Sequence, residues 1–216
     1  MKKLAVALAA TAAFAAPLLS HAESAINTTN LANATAAANL DFRVTVPRVL
    51  YLRVGTGTAN AVNATKDLID FTVPAANVGT GVAVAATAAS GDLTNGAVTV
   101  RLFGNGGNIS LNSSTTGLLN NGVAAQTLPW SQIGVVVAPL AATTAGYTNG
   151  TLAHPTLNNT AGGGLGTATA LTAVNKLVLQ EAKWTYSYLN AAFVASGTYG
   201  GAGVNNGRVT YTATMP

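Results

Sequence analysis

The stretch Leu40-Asp41-Phe42-Arg43-Val44-Thr45-Val46 alternates apolar and polar residues at every step. That period of two predicts a β-strand with Leu40, Phe42, Val44 and Val46 on one face. Pro47 interrupts the pattern before residues 49–54 resume it. Proline cannot donate to a ladder, so the expectation is one bent strand that shifts between sheets, or two short ones. Short β-type runs recur at 68–73, 81–86, 97–103, 108–111, 133–137, 176–180, 183–189, 192–195 and 208–215. Asn-Gly pairs at 95–96, 105–106, 121–122, 149–150 and 206–207 separate them and tolerate the positive φ of tight turns. The clearest predicted hairpin joins 98–103 to 108–111 across the glycine-rich turn 104–107. Helical spacing is confined to Leu171, Val174, Leu177 and Val178, which allows one short helix. Residues 143–170, with three consecutive glycines at 162–164, read as a long loop.

Two C-terminal patterns place side chains more firmly. In Trp184-Thr185-Tyr186-Ser187-Tyr188 the aromatics share one face and the hydroxyls the other. In 208–215 the alternation turns Val209, Tyr211, Ala213 and Met215 inward and leaves Arg208 and three threonines outside. Together these patterns predict an all-β, antiparallel β-sandwich with long loops.

The N-terminus changes the compartment. Lys2 and Lys3 precede a charge-free run, 4–19, and Ser20-His21-Ala22 offers small residues at the −3 and −1 positions of a cleavage site. This is the layout of a secretory signal peptide, and the run is shorter than a membrane span. The predicted organisation is a signal at 1–22, an extended arm at 23–39 and a β-sandwich domain at 40–216. Export to the periplasm, cell surface or medium follows. Without Lys2 and Lys3, eight basic residues face six acidic ones, a formal +2 in place of +4. Scattered basic residues at that charge argue against nucleic acid as a partner. Charged residues are only 7% of the chain, so the polar surface rests on Thr, Asn, Ser and Gly, a composition suited to surface arrays and fibres. With no cysteine, the fold depends on its core alone.

Residues suited to catalysis or metal binding are few, and an enzymatic reading rests only on a distant pairing of the scattered carboxylates. After signal removal His154 is the one histidine left, no Gly-x-Ser-x-Gly elbow accompanies it, and zinc ligation needs several His or Cys. Asp67 and Asp70, three apart, lack the spacing of a calcium loop. The glycine clusters lack the Lys and Ser/Thr of a phosphate loop. The expectation is a protein that is no enzyme, with no cofactor and no metal. Loop aromatics Trp130, Tyr147 and Tyr199 are the candidates for stacking on a sugar ring.

Ala195-Ser196-Gly197-Thr198-Tyr199-Gly200, followed by Val209-Thr210-Tyr211-Thr212-Ala213, resembles the C-terminal ending of spore-coat-U-like and other fimbrial subunits. The likeness spans about a tenth of the chain and differs in lacking cysteine and in a longer gap after the tyrosine. It implies an exported immunoglobulin-like surface subunit, structural or adhesive, that assembles with itself or with other subunits by strand exchange. The arm 23–39, with Ile26 and Leu31 as its apolar residues, is the expected participant. The alternative expectation is a monomeric β-sandwich that binds glycan or envelope through Trp130, Tyr147 and Tyr199.

Overall fold

The computed structural model describes residues 24–28, 34–58 and 60–216. The predicted signal, 1–22, and Leu31 of the arm lie outside the described residues. The chain divides into two units, Met1–Val46 and Pro47–Pro216. The compact β unit thus starts at Pro47 and not at Leu40. Among the described residues the strand expected over 40–46 forms no pairing, and the first strand is β1 (Leu50–Val54).

Eleven more strands follow: β2 (Val84–Ala85), β3 (Ala97–Gly104), β4 (Ile109–Thr115), β5 (Leu119–Asn120), β6 (Thr127–Leu128), β7 (Ile133–Ala138), β8 (Thr148–Asn149), β9 (Gly164–Leu165), β10 (Thr169–Leu171), β11 (Val178–Tyr188) and β12 (Val209–Thr214). The one sheet runs β1-β3-β11, with β7 and β8 on the far side of β11 and β2 extending the column of β3. The other runs β10-β4-β12, with β9 also pairing β4, beyond the end of β10. Pairing is antiparallel throughout except for β8 on β11. A small hairpin, β5–β6, stands apart. Among the described residues helix is limited to two 3-10 turns, Ala75–Asn77 and Trp130–Gln132.

The core lies between the two sheets. Val98, Val100 and Leu102 of β3 and Ala182, Trp184 and Tyr186 of β11 face Ile109 and Leu111 of β4. The alternation read at the C-terminus is what produces this: Trp184, Tyr186 and Tyr188 are all buried. A second cluster of Val84, Leu119, Leu128, Trp130 and Tyr188 closes the end of the sandwich where β11 finishes. That end is called upper here, and the end bearing Leu50, Gly104 and Val178 lower.

Two predicted local structures are corrected. The β3–β4 connection is not a hairpin. β3 belongs to one sheet and β4 to the other, so residues 105–108 form an arch between sheets, and both strands send their apolar face into the same core. Gly104 allows this closeness, since a Cβ there would stand 2.6 Å from Ile109 Cδ1. The helical spacing of 171–178 belongs to a tight turn. Asn175 and Lys176 adopt φ of 52° and 64°, and Val174 and Leu177 exchange two backbone hydrogen bonds of 2.9 Å. Left-handed values at both central positions define the type I′ turn, which local spacing cannot distinguish from a helical period.

Candidate assembly surface

Residues 40–46 carry the chain's plainest unsatisfied pattern. All seven are exposed and none belongs to a strand. Leu40 is 72% exposed, Phe42 85%, Val44 85% and Val46 74%. Among the described residues no hydrogen bond engages the segment's backbone. Burying a Leu, Phe or Val side chain is worth about 1.5–3 kcal/mol, so an apolar row left in water is an incentive to associate. Ile26, placed by sequence in the assembly arm, is 88% exposed but stands without such a row.

Within Pro47–Pro216 one flank of the sandwich has the complementary character. Among the described residues β12 pairs with β4 along one edge only, and its other edge carries no strand. On the same flank the facing sheet ends in β1, continued upward by the extended stretch 67–73. Asp67 joins that stretch to the end of β1, its Oδ2 accepting from the Thr56 N–H at 2.7 Å. The Thr87 N–H donates to Asp70 O at 2.8 Å. Leu52, Val54, Ile69, Phe71, Tyr211, Ala213 and Met215 all pack against the main core yet stay half-buried, as Val73 and Val209 do against the second cluster. On the central strand β11 the inward residues Trp184, Tyr186 and Tyr188 are buried. The rows bordering the β12 flank are thus short of one layer of cover.

The opposite flank is closed by the chain itself. Residues 151–157, read from sequence as open loop, run along this flank with Leu152 and Pro155 buried and Thr151, Ala153 and Thr156 exposed. Trp184 Nε1 donates to Leu152 O at 2.8 Å, and Ser113 Oγ donates to Thr156 O at 2.7 Å. Gly166 makes room, because the Thr156 carbonyl occupies the place a Cβ would take. What remains open there is a hollow of about 490 Å³ between β7 and 153–157, lined by Ile133, Val135, Val137, His154 and Leu157.

His154 belongs to this plug. Its ring stands edge-on to Trp184 at 4.6 Å, and Nε2 lies 2.7 Å from the Tyr211 hydroxyl. That hydroxyl is 2.9 Å from the hydroxyl of Tyr186. Burial lowers the histidine from 6.5 to about 4, opposed by a hydrogen bond with the backbone of Pro155. Burial also raises both tyrosines, so neither carries charge at neutral pH. The unfolded chain therefore binds a proton on His154 before the folded one does. Stability should be full above pH 6.5 and fall by up to about 3 kcal/mol as pH drops towards 4. Urea midpoints measured across that range should show the decline, and His154→Gln should flatten it. An equal slope in the variant would remove the assignment.

The three loop aromatics do not form one platform. Trp130 is 6% exposed and its indole N–H donates to Gly117 O at 2.8 Å. Tyr199 packs on the same cluster and donates its hydroxyl to Ala195 O at 2.9 Å. Tyr147 lies elsewhere, its ring 5.2 Å from the Arg101 guanidinium. Among the described residues no group of three His, Cys, Asp or Glu could hold a metal ion, and no helix is long and apolar enough to cross a membrane. No protein-family model, curated protein or solved structure matches the chain.

Proposed function

We propose that this chain is an exported structural subunit of the cell surface that assembles by strand donation. Residues 40–46 of one copy lie along the free edge of β12 in another, and Leu40, Phe42, Val44 and Val46 enter the half-covered flank. The unit Pro47–Pro216 is then an immunoglobulin-like sandwich with one strand position supplied from outside. The observation that carries the reading is the seven-residue alternating segment whose four apolar side chains are each more than 70% exposed. Strand addition draws affinity from main-chain hydrogen bonds and specificity from alternate side chains, and this segment offers both. The donor is 40–46, which adjoins the domain directly; the arm 23–39 is dispensable.

Three lengths test this: residues 23–216, 40–216 and 47–216, compared by sedimentation. The first two should form multimers and the third should be a folded monomer. A synthetic peptide of residues 40–46 added to the third should slow amide exchange in β12 and leave β7 unchanged. Multimers of 47–216, a monomeric 23–216, or protection of β7 instead of β12 would each contradict the reading.

A further inference from the structure

The domain is fastened from its first residue. The donor ends at Val46, and Pro47 is already fastened to the lower end of the sandwich. Asn105 Nδ2 donates to Pro47 O at 2.8 Å, the Val49 N–H donates to Asn105 Oδ1 at 2.7 Å, and Arg48 Nη2 donates to Met215 O at 3.0 Å. A strand lodged in a neighbour's flank must therefore bring that neighbour against this end. Exposed apolar residues occupy it: Val174 is 73% exposed, Leu177 44% and Val49 38%.

The upper end carries a second apolar surface, held in shape. Phe193, 81% exposed, lies over Gly79, where a Cβ would stand 2.6 Å from the ring. Val78, Val82 and Leu189 are exposed in the segments beside it. Asn190, 2% exposed, ties those segments together. Its Oδ1 accepts from the Gly79 N–H at 3.0 Å, its Nδ2 donates to Asn77 O, and its own carbonyl accepts from the Gly81 N–H at 3.0 Å. The two ends are separated by the eleven residues of β11, about 35 Å of strand.

We infer that the Phe193 end of one copy packs against the Val174 end of the copy whose strand it receives. This contact rests on the strand-donation reading and adds to it a stiff, directional joint. Joining unlike ends gives an open head-to-tail chain, in which the donor runs antiparallel to β12. Joining two lower ends instead would set Arg48 and Lys176 against their own copies, a like-charge arrangement.

The test uses residues 23–216 carrying Phe193→Asp or Val174→Asp, with Phe193→Ala as a milder variant. Both sites are exposed, so thermal melting of the domain should stay within a degree or two of the parent. Each aspartate should raise the concentration of half-dissociation about tenfold or more. Phe193→Asp combined with Val174→Lys in one chain should recover most of the loss, since every joint then pairs opposite charges. Unchanged multimer affinity in Phe193→Asp, Phe193→Ala and Val174→Asp would overturn the joint while leaving strand donation standing. A monomeric parent chain would overturn both.

Discussion

Replacing Phe42 with aspartate is expected to abolish multimers of the chain while the sandwich melts at the same temperature. Phe42 is 85% exposed in the single copy, so the change costs the isolated fold nothing. In the assembled state the same side chain would be the largest of the four entering the β12 flank. Its removal forfeits about 1.5–3 kcal/mol of burial, and a carboxylate placed in an apolar cleft adds at least about 2 kcal/mol more. At about 1.4 kcal/mol per tenfold, the affinity should fall by roughly a thousandfold. Thr45→Asp, on the other face of the segment, should cost little, and Ile26→Asp in the dispensable arm nothing. Equilibrium sedimentation of the three variants beside the parent reads this directly. Equal loss from Phe42→Asp and Thr45→Asp would mean that the assembly does not rest on burial of the Phe42 face.

The segment that carries the proposal illustrates what the sequence can and cannot tell. The alternation at 40–46 is a local property and was legible, as were the buried aromatics of β11 and the inward row of β12. Period alone says that a strand wants a partner, not that the partner belongs to the same chain. Assigning 40–46 to the domain and 23–39 to the arm followed from reading Pro47 as a bend within one element. The proline instead marks the place where paired structure begins. The arch between β3 and β4 was misread for a related reason. A glycine-rich turn between two alternating runs fits a hairpin or a crossing equally well, and only the core decides. The plug 151–157 left almost no signal, since Leu152, His154 and Pro155 show no period. Its position depends on Gly166 and on Ser113 of β4, contacts that no local period announces. Of the loop aromatics, Trp130 follows Pro129 into a 3-10 turn that folds it under, a placement that sequence position alone does not fix.

Arg101→Met should be the most damaging substitution for the fold itself, and it separates stability from assembly. Arg101 on β3 stands opposite Glu181 on β11, with Nε 2.9 Å and Nη2 2.8 Å from Oε2. Glu181 is fully buried, and its other oxygen accepts from the Thr144 N–H at 2.7 Å. Arg101 Nη2 also donates to the Thr144 hydroxyl, so the pair pins the 139–150 connection to the outer face of its sheet. Removing the guanidinium leaves a carboxylate with no counter-charge in a place without water. Breaking a buried pair in this way costs about 3–5 kcal/mol. For a domain of this size that is a fall of about 10–15 °C in melting temperature. Arg101→Met with Glu181→Met should regain most of it, because an apolar pair of similar volume removes the orphan charge. Scanning calorimetry on residues 47–216 measures both. A double variant no more stable than the single one would show that the pair acts through its hold on Thr144 and not through charge. Arg101 and Glu181 point away from the core and lie on the inner strands, while donation is proposed at the edge strand β12 of the other sheet. Below its melting temperature the Arg101→Met chain should therefore still form multimers, whereas the Phe42→Asp chain, fully stable, should not.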